Sequence, residues 1–343
     1  MFEFGRELKR LFGAETLGTT RDGLTGGDAS LLELLDLEML RAEAKAADIA
    51  AGRVGAKDRA QRRLEAAIVW REIARRTGDA VALRKAAAGA ETAADLFGRN
   101  RRPDGWARAR CEQAYCAMLG AELFGDTGLD AAAGAAFREA RAAARGGLAL
   151  PLAEVGIAAI EGRARMADGD AQLARVTAAR FSTPIVGLKT LTRRCRAARL
   201  LAVEARLVRC DLLLGWGARL KDRDLLQQAL NEAELAADGL DPAYEPVSWA
   251  RVAAARGQAM ALLGEIGGEI EPLAEAVNAL ADVLNDVSRE HSPLDWARVQ
   301  AALAQGLQAL GEAGASERAY EQAVTCYDRA ALVLKDLPAL PLR

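Results

Sequence analysis

The chain has one histidine in 343 residues, and aromatic side chains make up only 5% of it. That histidine, His291, lies in Arg289-Glu290-His291-Ser292-Pro293, just before a helix, so a role in the helix start outweighs catalysis. No second histidine exists to build a Ser-His-Asp or Cys-His set elsewhere. The chain also lacks a Walker loop, a GxGxxG after a strand and an HExxH. Its five cysteines, Cys111, Cys116, Cys195, Cys210 and Cys326, are odd in number and contain no CxxC pair. They read as reduced core residues rather than a disulfide framework or a metal site. Carboxylate pairs such as Glu232/Glu234 and Glu269/Glu271 are ordinary on polar helices. No catalytic residue, metal or cofactor is therefore expected, and the chain does not read as an enzyme.

Other absences narrow the class further. No apolar run is long enough to span a bilayer, and the start of the chain lacks the continuous apolar core of a signal peptide. A cytoplasmic protein is the expectation. The net charge of -2 argues against nucleic-acid binding by bulk electrostatics. No period-2 stretch rich in Val, Ile and Thr supports a sheet. What is plentiful is alanine, whose small side chain lets helices approach closely, so the class is all-α. Arginine outnumbers lysine 39 to 7, which suits a GC-rich bacterial genome.

One short pattern recurs: Pro103-Asp-Gly-Trp106-Ala107-Arg108, Pro246-Val-Ser-Trp249-Ala250-Arg251 and Pro293-Leu-Asp-Trp296-Ala297-Arg298. The last two tryptophans are 47 residues apart, and the first precedes the second by close to three such periods. A fixed period of this size marks a stacked repeat protein. In the last unit Ser292 caps a helix, Pro293 fits its first turn and Asp295 completes a near capping box. That helix carries Trp296, Val299, Leu303, Leu307 and Leu310 at helical spacing and stops at Gly311. A second helix follows through Ala319, Tyr320, Ala323, Tyr327 and Ala330, ending before Pro338.

Shifting by 47 residues recovers Ala276, Leu280 and Val283, then Ala229, Ala233 and Ala236, the latter preceded by a helix over about 197–215 that lacks the Trp. Ala133, Phe137 and Ala140, and Ala86, Ala90 and Ala93, fill the same places near the start. The unit at Pro151 is degenerate, with Glu154 in the Trp place and Ser182-Thr-Pro184-Ile-Val-Gly187 interrupting it. About six helix pairs span residues 59–338, with an extra helix over about 30–52 opened by the capping box Ser30-x-x-Glu33.

The phrase Trp296-Ala-Arg-Val-Gln300, with Leu303, Leu310-Gly311-Glu312 and then Ala323, Tyr327 and Ala330, resembles the long-repeat bacterial branch of the tetratricopeptide-repeat superfamily. The resemblance implies a solenoid of antiparallel helix pairs over residues 29–343. The usual repeat there has 34 residues, against 47 here. It also implies that the first helices line a concave face where a peptide or protein segment binds. By position Arg108, Arg251 and Arg298 would point there, followed by Gln258, Gln305 and Gln308. Solvated arginines are the plain reading of these places. The sharper one is a ladder of guanidinium forks that grips carboxylates of an acidic peptide.

Residues 1–13 form a separate feature. Phe4, Leu8, Leu11 and Phe12 share one helical face, Phe2 adds apolar surface, and Arg6, Lys9 and Arg10 fall largely elsewhere. A flexible linker over 14–28, rich in Gly, Thr and Asp, follows. This amphipathic helix could dock on its own solenoid, on a partner or another copy, or on a membrane surface. Charge is uneven as well: residues 187–223 hold ten Lys or Arg, and residues 232–290 hold twelve acidic groups. Solvated helix faces explain this, and so would partner-selecting surfaces or self-association.

Three functions remain. The first is a scaffold or adaptor with a protein or peptide partner. The second is an assembly factor held at the inner membrane by residues 1–13. The third is a nucleic-acid-binding regulator using residues 189–223, weakened by the absence of interleaved aromatics there.

Overall fold

A computed structural model describes residues 30–53, 56–195, 197–335 and 337. The expected docking residues Phe2, Phe4, Leu8, Leu11 and Phe12, and the expected linker, lie outside these residues. Among the described residues there is no strand, and successive helices pack against their sequence neighbours. The fold is an all-α solenoid of helix pairs.

Two compact units divide the chain, one holding residues 1–157 and 186–201, the other 158–185 and 202–343. The first unit begins with a helical turn, Ser30–Glu33, and α1, Leu37–Arg53. The expected extra helix is thus in two pieces, because Asp36 starts α1 anew by accepting the Met39 N–H at 2.8 Å. The helix pairs α2 (Ala56–Thr77) with α3 (Ala80–Phe97) and α4 (Pro103–Phe124) with α5 (Thr127–Ala143) follow. α6 (Ala149–Arg165) runs from this unit into the second.

The second unit contains α7 (Ala171–Ala179) and then the pairs α9 (Ala197–Leu220) with α10 (Arg223–Ala237), α11 (Pro246–Gly267) with α12 (Ile270–Asp286), and α13 (Pro293–Gly314) with α14 (Glu317–Leu334). Both α8 (Ser182–Leu191) and α9 straddle the division between units. The interruption at Ser182 is a short helix with Pro184 in its first turn, where a proline costs no hydrogen bond.

First and second helices start differently. α4, α11 and α13 begin with proline and have no side-chain cap. α3, α5, α7, α10 and α14 are capped by Asp79, Asp126, Asp170, Asp222 and Ser316, each side chain accepting a first-turn N–H. Burial differs too. The second helices bury one stripe, such as Leu273, Ala276, Leu280 and Val283 on α12. The first helices are buried on two sides; on α11 these residues include Val252, Ala255, Ala259 and Leu262 as well as Gly257 and Gly264.

Gly311, expected to stop its helix, and Gly264, 47 residues earlier, do something else. Gly311 lies inside α13, which runs on to Gly314, and Gly264 lies inside α11. A Cβ at Gly264 would sit 2.8 Å from Leu273 Cγ, one at Gly217 2.7 Å from Leu226 Cγ, and one at Gly311 3.2 Å from the Tyr320 ring. Each glycine is nine residues before the side chain it admits. The missing Cβ is a notch that lets the second helix of each pair close on the first.

Two of the repeated tryptophans pack against core clusters. Trp296 packs against the cluster of Ala250, Val283, Val287 and Val299, and Trp106 against the cluster that includes Leu64, Ala93 and Phe97. His291 is in the loop before α13, where its N–H bonds to the Ser288 carbonyl at 3.2 Å.

Candidate functional site: a repeated strip on neighbouring first helices

Arg108 and Arg251 of the proposed ligand ladder are engaged within the chain, and Arg298 lies near the Asp295 carboxylate. Arg251 of α11 holds Asp295 of α13 with both arms of its fork: Nε to Oδ1 at 2.9 Å and Nη2 to Oδ2 at 2.8 Å. The side chains are only 10% and 2% exposed. The Ser292 hydroxyl donates to Asp295 Oδ2 at 2.5 Å. Neither residue of the expected capping box caps α13, because both side chains serve this ion pair. Burial alone would raise the Asp295 carboxyl. Arg251 in contact, Arg298 nearby and the Ser292 hydroxyl outweigh burial and hold it well below the usual carboxylate range.

Arg108 of α4 is likewise engaged, at 3.4 Å from Glu112, a fully buried carboxylate that Arg71 of α2 also holds. Two arginines thus neutralise one acid inside the first unit. An acidic peptide would have to displace these internal carboxylates to use either Arg108 or Arg251.

The remaining candidates lie together on one edge. Arg251, Ala254, Gln258 and Glu265 follow helical spacing along α11, and Arg298, Ala301, Gln305 and Glu312 repeat them on α13 at the 47-residue period. The two helices pack side by side. Gln258 and Gln305 are half-buried and Glu265 and Glu312 exposed. Gln308 is exposed beside this strip, donates to Glu312 at 3.1 Å and receives the Tyr327 hydroxyl at 3.5 Å. The chemistry of the strip is small residues between amides and carboxylates. Reading Arg and Gln alone missed Ala254, Ala301, Glu265 and Glu312, although the 47-residue shift reveals them.

A shallow pocket of about 400 Å³ lies elsewhere in the second unit, among α10, α11 and α12. Leu230, Met260 and Leu263 give it an apolar lining, and Arg223 and Glu269, 3.5 Å apart, belong to its polar lining.

Part of the basic segment is committed internally. Arg206 and Arg209 pair with the buried Glu232 at 2.6 and 3.0 Å, Arg219 donates to the Gly169 carbonyl, and Arg223 meets Glu269. In the other unit Arg193 and Arg194 are exposed. The cysteines are free, and four of the five are buried. Burial pushes the Cys111 thiol up to about 12, partly offset by Arg108, and raises Cys116, Cys210 and Cys326 as well. No described helix is long and apolar enough to cross a membrane.

No protein-family model matches the chain, and no curated protein matches it. Among solved structures, a circular tandem repeat protein with novel repeat topology and enhanced subunit contact surfaces is similar over 97% of this chain and 91% of that one, with 14% identity and a TM-score of 0.30.

Proposed function

We propose that the protein is a cytoplasmic interaction scaffold of the tetratricopeptide-repeat type that holds an extended peptide segment across α11 and α13. One observation carries this reading: neighbouring first helices present the same Arg-Ala-Gln-Glu edge twice in register. A glutamine amide both donates and accepts, so it can pair with a peptide group in either sense. Ala254 and Ala301 leave room for a backbone to come close. Arg251 is filled by Asp295, so ligand charge preference falls to Glu265 and Glu312, which favour basic residues in the segment.

The test is a selection of random displayed peptides on the full chain, run in parallel on Ala254→Arg/Ala301→Arg. The reading requires a shared sequence pattern containing Lys or Arg that disappears on the variant. Equal enrichment on both proteins, or none on either, refutes it.

A further inference from the structure

We propose that α14, the last described helix of the second unit, is a docking face for residues 1–13 of another copy of the chain, giving head-to-tail association. This does not depend on the strip on α11 and α13. On α12, Leu273, Val277, Leu280 and Leu284 hold the places that Tyr320, Val324, Tyr327 and Ala331 hold on α14, 47 residues later. Leu280 clusters with Leu303, Ala304 and Leu307 of α13, with Val277 and Leu284 packed against the cluster. A Cβ at Gly306 of α13 would come 3.3 Å from Val277 Cγ2, so Val277 is covered by the next unit. No described helix follows α14, and there Tyr320 is 40% and Val324 59% exposed.

What α13 brings to α12 is Val299, Leu303 and Leu307, at steps of four residues. Phe4, Leu8 and Phe12 repeat those steps, with Leu11 beside them. Thirteen helical residues span about 20 Å, against about 17 Å from Tyr320 to Ala331. The linker expected from the sequence over residues 14–28 would let the segment reach a neighbour.

Charge selects this occupant. The row beside the stripe, Ile270, Ala274 and Ala281 on α12, becomes Glu317, Glu321 and Asp328 on α14, all exposed. Residues 1–13 carry Arg6, Lys9 and Arg10 against Glu3 and Glu7, a net positive segment that suits that row. Symmetric pairing of two α14 helices does not, because antiparallel helices set like edges against each other and would oppose the two acidic rows. A heterologous contact of this kind builds closed rings or open chains of copies. With a single short helix in the interface it belongs at the weak end of the range.

The test places the photocrosslinker p-benzoylphenylalanine at position 324 of the full chain and mixes it with a copy of different mass. The expected product is a covalent dimer of mixed mass whose crosslinked peptide comes from residues 1–13. Leu8→Asp in the second copy should lower its yield at least about tenfold. Position 324 is on the surface, and circular dichroism verifies that both proteins fold. No dimer, a crosslink confined to one chain, or a crosslink between two α14 helices overturns the proposal. Recovery of the chain on phosphatidylglycerol vesicles with the crosslink lost assigns the segment to a lipid surface and overturns it equally.

Discussion

Arg251→Ala separates a structural arginine from a ligand-binding one. The substitution leaves Asp295, 2% exposed, without its bidentate partner. Removing one member of a buried ion pair costs about 3 to 5 kcal/mol. The Ser292 hydroxyl and nearby Arg298 remain to stabilise the carboxylate, so the lower end, about 3 kcal/mol, applies here. For a second unit of about 170 residues the unfolding entropy is about 0.36 kcal/mol/K, which converts that loss into a fall in Tm of about 8 °C. Thermal melts followed by circular dichroism give the value.

The double variant Arg251→Met/Asp295→Leu removes both charges together and should regain most of the loss. The effect also has a pH signature. The Asp295 carboxyl is depressed in the folded chain, so the pair's stabilisation is present above the unfolded carboxylate value near 4 and fades as pH falls through the lower folded value. The gap between wild type and Arg251→Ala should hold from about pH 5 to 8 and narrow below about pH 4. A variant melting within about 1 °C of wild type, or a double variant no better than the single, refutes the reasoning.

Other consequences follow from burial and close packing. Ellman's reagent at neutral pH should react first with Cys195, while Cys111, Cys116, Cys210 and Cys326 wait for denaturant, because their raised thiols stay protonated. Gly264→Ala should destabilise by roughly 1 to 3 kcal/mol, since its Cβ meets Leu273 side chain and backbone. Gly52→Ala, with nothing within 4 Å, should stabilise by about 0.5 to 1 kcal/mol; chemical denaturation measures both. Arg76 is fully buried and donates to the Leu32 and Leu35 carbonyls at 3.0 and 2.9 Å, so Arg76→Met should speed hydrogen exchange in residues 32–36.

The helix pairs are legible because a 47-residue period and helical spacing each point to them independently. Pro103, Pro246 and Pro293 begin their helices in the structure as they do by sequence. Helix ends are harder to read. Gly264 and Gly311 look like stops, since glycine is a common helix terminator, yet their use is tertiary: each admits a side chain nine residues later. Ser292 and Asp295 look like a capping box, but a cation from the neighbouring first helix takes the carboxylate. The same contact explains why Arg251 resembled a solvent-facing ligand site: sequence spacing gives a residue its edge of a helix and is silent about the neighbour packed there. The identical strip on α11 and α13 was readable, but only by comparing all positions of two units rather than the charged ones alone.

The measurement closest to the central claim is the affinity of a peptide selected on the full chain, read by fluorescence anisotropy for wild type and for Gln258→Ala/Gln305→Ala. Two lost hydrogen bonds of about 1 kcal/mol each predict roughly 30-fold weaker binding, with the Tm unchanged. Undiminished affinity in that double variant would contradict a peptide held by the repeated glutamine strip.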